Sequence, residues 1–134
     1  MPDEEQHRRE IIDLAVAYCR IVDSGDFDSL RKVFTPAASA QLGGSGQSGI
    51  AEIMERLSTA LGKFDSWEHH VDAHQVSVDG LSASASCSVR AVHVRPEGSS
   101  PRTDTIIGTY DDKLVHTADG WRISHRCLTV VDRW

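Results

Sequence analysis

Apolar side chains at Ile11, Ile12, Leu14, Ala15, Tyr18, Cys19, Ile21 and Val22 recur three and four residues apart, the spacing that gives a helix one buried face. Asp3 stands where a helix cap belongs, with Glu4 and Glu5 in the first turn and Gln6 at the capping-box position, so the pattern predicts a helix from about Asp3 to Ser24. Ser24-Gly25-Asp26 breaks it, Gly25 suiting the stop and Asp26 the start of a second helix that turns Phe27, Leu30, Val33 and Phe34 inward. Pro36 closes that unit. Asp23, four residues after Cys19, falls at the edge of the first helix's buried face. There it is either a turn residue or a carboxylate aimed into a cavity.

Beyond a short strand at Ala38–Leu42 and a Gly/Ser-rich loop over residues 43–49, Ile50, Ile53, Met54, Leu57, Ala60 and Leu61 mark a third helix ended by Gly62. From Phe64 the period changes to two, and the remainder reads as four strands. One long strand sets Leu81, Ala83, Ala85, Cys87, Val89, Ala91 and His93 on one side and Ser82, Ser84, Ser86, Ser88 and Arg90 on the other. Its apolar side is small enough to leave space beneath the helices, unless large residues from the helices fill it. A second strand aligns Ile106, Gly108, Tyr110 and Leu114; Asp119-Gly120 is a hairpin signal, and Trp121 to Val131 forms the last strand. Three helices followed by antiparallel strands predict an α+β fold, a curved, mostly antiparallel sheet over three N-terminal helices. Trp67, Val71, Val89, Ile106, Trp121 and Ile123 are its expected core.

The same alternation selects the candidate chemistry. If Trp67 and Val71 point inward, so does His69, while His70 and His74 face outward. His93 extends the apolar side of its own strand. Two inward histidines with Asp23 near the helix end would supply an acid, a base and an orienting carboxylate, although an inward histidine also serves as a hydrogen-bonded core residue. On the last strand His125, Cys127 and Thr129 share the parity of Trp121 and Ile123 and are expected, with Trp67 and Tyr110, to contact substrate. Arg126 has the opposite parity and is expected in solvent unless a bulge redirects it.

In order and spacing, the opening stretch Val22 to Ala38, then Trp67-Glu68-His69-His70-Val71, Val78-Asp79-Gly80, Val92-His93-Val94 and Asp119-Gly120-Trp121-Arg122-Ile123 resemble the SnoaL-like proteins. These are a branch of the NTF2-like fold that includes polyketide cyclases, scytalone dehydratase and a dehydrochlorinase. The resemblance covers nearly the whole chain and implies a cone of helices packed on a curved sheet. It also implies that Asp23 pairs with His69 as orienting group and general base, that His93 assists as acid or hydrogen-bond donor, and that no cofactor is needed. The implied activity is that of a lyase or isomerase acting on a hydrophobic cyclic or polyketide-like molecule. The family's water-activating tyrosine would fall near Leu42, an asparagine at Ala73 and an amide near Thr129, so the scytalone dehydratase reaction in detail is not expected. A non-catalytic binding module or interaction subunit using the same cavity is the competing reading.

Composition narrows the partners. The 134 residues suit a single domain spanning 1–134. Lys and Arg number 14 against 20 Asp and Glu, a formal charge of −6 dispersed along the chain, which argues against nucleic acid or an anionic membrane as partner. Cys19, Cys87 and Cys127 form no CxxC pair or even-numbered framework, and the charged start of the chain does not read as a signal peptide. A cytoplasmic location with reduced thiols is expected. Among the seven histidines, His69, His70 and His74 do not converge as a ligand set by this parity, and no metal is expected. Relatives of this fold commonly pair through the sheet face away from the helices, and a homodimer is expected.

Overall fold

The structure, a computed structural model, describes residues 3–134; Met1 and Pro2, which open the charged N-terminal stretch, lie outside them. Helix α1 spans Glu4–Ser24. Its cap is the expected one: Asp3 accepts the Gln6 backbone N–H at 2.8 Å, although the Gln6 side chain reaches Glu10 instead of returning the bond. Gly25 ends the helix in the left-handed conformation at φ 75°, where a Cβ would be strained.

The second expected helix is a 3-10 helix, Phe27–Lys32, and Asp26 gives it no side-chain cap to the backbone. Six residues with a strand immediately behind them leave no length for an α-helix to repay its nucleation. Strand β1 then begins at Phe34 and runs to Leu42, taking in Pro36, and the Gly/Ser segment forms β2, Ser45–Ser48. These pair as a hairpin turned by Gly43 and Gly44, both at positive φ. Only after this hairpin comes α2, Ile50–Leu61. The expected three N-terminal helices are thus two α-helices and a 3-10 turn, separated by two strands.

Strands β3 (Ser66–Asp79), β4 (Ser82–Val94), β5 (Thr103–Thr117) and β6 (Gly120–Arg133) follow. One six-stranded sheet results, in the order β2-β1-β6-β5-β4-β3. It is mixed, because β1 runs parallel to β6 while all other neighbours are antiparallel. Helix α1 lies against β3 and β6, and α2 against β1, β2 and the 3-10 turn. Val89, Trp121 and Ile123 are buried as expected, whereas Trp67, Val71 and Ile106 are half-buried. No helix among the described residues is long and apolar enough to cross a membrane.

Bulges reset the strand parity once in β3 and twice in β6. In β3 the register shifts between Asp72 and Gln75, where Ala73 has φ 53°. His74 is thereby half-buried beside Ile11 and Ala15 of α1, instead of outward. In β6 Ser124 is the extra residue opposite Lys113 and Leu114, and Val131 is extra opposite Ile107 and Gly108. Past Ser124 the inward residues become Arg126 and Leu128, and His125, Cys127 and Thr129 go to the outer face. Arg126, expected in solvent, is wholly buried.

Candidate active site

Three contacts fasten the end of α1 to β3. The Trp67 indole N–H donates to the Val22 carbonyl at 2.8 Å, occupying an acceptor at the helix terminus. One residue on, Asp23 accepts from the His69 backbone N–H with Oδ2 at 3.0 Å and from His69 Nδ1 with Oδ1 at 2.8 Å. An ionised carboxylate only accepts, so Nδ1 carries a proton, and in the neutral ring Nε2 keeps the lone pair. Trp67 therefore clamps the site without lining it: its ring stacks on Phe27 at 6.5 Å, and it is absent from the cavity wall.

A second pair stands beside the first. His93 Nδ1 donates to Asp104 Oδ2 at 3.0 Å, and the His69 and His93 rings lie edge to face, 6.1 Å between centroids. Phe64 stacks on His93 at 4.6 Å. Asp104 also receives Arg133 through two bonds of 3.0 and 3.1 Å and Arg95 at 3.5 Å. Burial alone would raise the Asp104 pKa, but the hydrogen bonds from Arg133 and His93 outweigh it and lower it. The His93 pKa is lowered: burial, helped by the neighbouring His69, outweighs the Asp104 hydrogen bond. Asp104 and its arginines escaped the sequence reading, although Asp104 has the inward parity of Ile106 and Tyr110.

Both histidines face one cavity of roughly 210 Å³. Leu57, Leu61, Val89, Ala91, Ile106 and Leu128 supply its apolar wall, and Tyr18 and Tyr110 also line it. Of the small β4 residues expected to leave room, Ala91 lines this cavity, whereas Ala83 and Cys87 are packed in the core. Behind the tyrosines lies Arg126, its guanidinium 4.4 Å from the Tyr18 ring centroid and 4.0 Å from that of Tyr110, bound to Asp112 by two bonds of 2.7 Å. Tyr18 Oη and Arg126 Nη1 are buried without a hydrogen-bond partner. Burial raises the pKa of both phenols, so each remains protonated and able to donate.

His125, Cys127 and Thr129, expected to touch substrate, do not reach this cavity. His125 and Cys127 line a larger open groove of roughly 490 Å³ on the outer face with Ser84, Ser86 and Lys113. There His125 Nδ1 lies 2.6 Å from Ser39 Oγ, and neither carboxylate-paired histidine is present. Burial pushes the thiols of Cys19 and Cys87 up to about 11, too high for nucleophiles at neutral pH. One group among the described residues has metal-ligand composition, His7, Glu10 and His116, with ligand atoms within 4.8 Å of one another. Trp121 donates its indole N–H to His7 Nδ1 at 3.0 Å, which engages the lone pair a neutral His7 would offer a metal.

The SnoaL-like domain matches residues 3–127. The chain belongs to the SnoaL-like family. Among solved structures, the Kfla4162 protein from Kribbella flavida is 31% identical with a TM-score of 0.91, covering 98% of this chain and 95% of that one. An NTF2-like superfamily protein from Salmonella enterica superposes with a TM-score of 0.87 at 22% identity, over 96% and 93% of the two chains. A hexachlorocyclohexane dehydrochlorinase, LinA type 2, does so with a TM-score of 0.82 at 15% identity, over 95% and 86%. At those last two identities the likeness is one of fold: this SnoaL-like chain has the NTF2-like α+β architecture.

Proposed function

We propose that this SnoaL-like protein is a proton-transfer enzyme, a lyase or isomerase, acting on an apolar small molecule in the cavity shared by His69 and His93. The observation that carries the reading is that both imidazoles line the cavity and have Nδ1 tied to a carboxylate, with no hydrogen bond at Nε2 among the described residues. His69 is the general base. Its Nε2 takes a proton from a substrate carbon, and Asp23, 2.8 Å from Nδ1, holds the tautomer and stabilises the imidazolium that forms. The Tyr18 phenol, buried and unpartnered, donates to an oxygen next to the reacting carbon, where negative charge develops. His93, kept neutral by its lowered pKa, presents an acceptor at Nε2 and orients a substrate hydroxyl; a donor role would first require protonating it. Dehydrochlorination by the structurally similar LinA is one reaction of the class that begins with such a proton abstraction.

The test uses 2-tetralone, an apolar cyclic carbon acid, in deuterated buffer. Proton NMR should show protein-catalysed exchange at the carbon next to the carbonyl, falling on the order of a hundredfold or more in His69→Gln. Exchange at the buffer rate in the native protein, with 2-tetralone bound in the cavity, would replace the enzyme by a binding module.

A further inference from the structure

The cavity wall carries three cationic side chains, Arg56, Lys63 and Arg133, and no carboxylate. That imbalance occurs in a chain whose formal charge is −6. Only Arg133 is neutralised, by Asp104, and Asp104 has Arg95 to serve as well. Arg56 is held by backbone carbonyls: Nε donates to Leu42 at 3.1 Å and Nη2 to Gly43 at 3.2 Å. These bonds fix the guanidinium at the wall without cancelling its charge, and they leave Nη1 uncommitted. Lys63 sits at the exposed rim, its ammonium 5.4 Å from the centroid of the Phe64 ring that stacks on His93. Among the described residues no carboxylate lies within 4.0 Å of Arg56 or Lys63.

We infer that the ligand of this cavity is an organic anion, an apolar cyclic body bearing one carboxylate, with the body against the α2 and β4 walls and the charge at Arg56 and Lys63. This rests on the cavity being the binding site proposed above, and it adds the substrate's charge. A cleft lined by one sign of charge with apolar walls concentrates the opposite sign in its ligand, and a charge-assisted bond from an oriented guanidinium is stronger than a neutral one. Arg56 is followed by Leu57 and lies about one turn before Ala60 and Leu61, all of them on the same wall. A carboxylate held there leaves the ring system to extend toward His69 and His93, whose Nε2 atoms supply no cation while both are neutral.

The experiment compares 2-naphthoate with its neutral isostere 2-naphthamide, each titrated calorimetrically into the whole chain at pH 7.5. Native protein should bind naphthoate roughly tenfold or more tighter than the amide, an advantage that shrinks between low and high salt. Lys63→Gln should remove part of the preference and Arg56→Gln combined with Lys63→Gln nearly all of it, with amide affinity unchanged. Should the double variant lose its fold by near-ultraviolet circular dichroism, Lys63→Glu carries the test and should reverse the preference. Ala60→Trp, which adds bulk at the cavity wall, should weaken both probes. If both probes bind equally, are blocked by Ala60→Trp and ignore the charge variants, the anion inference falls while the cavity stands. If neither probe binds, or Ala60→Trp leaves both unaffected, the cavity is not the binding site and both readings fall.

Discussion

The two carboxylate–histidine pairs look alike in outline and differ in what surrounds the carboxylate. Asp23 serves His69 alone, through ring and backbone, and its side chain is 28% exposed. Asp104 is 3% exposed and divided among His93, Arg95 and Arg133. A carboxylate already neutralised by an arginine has less charge to offer a forming imidazolium, whereas one with a single partner offers all of it. On the proposed function, the pair whose aspartate is more solvated is assigned the base and the more buried pair the fixture. On that proposal, one scaffold would separate base from positioning group by what else touches each aspartate.

If that separation holds, the largest effect falls on turnover. His69→Gln and Asp23→Asn should each lower kcat/KM by roughly a hundred- to ten-thousandfold. Because the two act in one step, the double variant should be little worse than the poorer single one. His93→Gln should cost less and show chiefly in KM. Kinetics on any substrate turned over by the native protein decide it: losses at Asp23 and His69 that multiply, or a His93 loss equal to that of His69, would erase the distinction between the pairs.

How much of this was legible in the chain follows from how far strand parity can be trusted. Asp23, His69 and His93 could be placed because a helix stop, an inward Trp-x-His-x-Val alternation and an apolar strand side are local signals, and no bulge lies between those residues and the positions that set their parity. His125, Cys127 and Thr129 could not, because the extra residue at Ser124 reverses the sheet face for everything just beyond it. That one insertion also buries Arg126 and so builds the guanidinium layer under the two tyrosines. Nothing in Arg122-Ile123-Ser124-His125-Arg126 marks a bulge to a reader of sequence. The second helix and the Gly/Ser loop were misread for a related reason: β1 and β2 draw their order from pairing with β6 and with each other, and residues such as Ser45-Gly46-Gln47-Ser48 carry little strand propensity of their own. Asp104 could have been found from its parity, had a paired histidine prompted the search for a partner.

Stability should rank the pairs in the opposite order to catalysis. Asp104→Asn removes the charge shared by His93 and two arginines in a buried setting and should cost about 1–3 kcal/mol. Asp23→Asn, at a partly solvated position and with an amide oxygen still able to accept one N–H, should cost less than about 1 kcal/mol. Urea denaturation at pH 7 measures both as a shift in midpoint at constant slope. Equal losses would mean that Asp104 is no more a structural fixture than Asp23.

The smallest effect is a pair of pH windows, and its sign separates His93 from Asp104. The folded His93 pKa lies below the usual 6.5, so below that value the unfolded chain binds a proton that the folded chain refuses. Stability therefore falls as the pH drops from about 6.5 toward the folded value, and then stops falling on this account. Asp104 also has a lowered folded pKa, from the usual 3.8. Its contribution is complete above that value and is lost only as the pH falls through the folded one. Acidification should therefore destabilise the protein in two steps, an upper one removed by His93→Gln and a lower one removed by Asp104→Asn. Urea midpoints from pH 8 to pH 3, with the His93 ring followed by NMR, resolve the two. A His93 ring that titrates above 6.5, or an upper step that survives His93→Gln, would show that Asp104 still has charge to give its histidine, and the contrast with Asp23 would collapse.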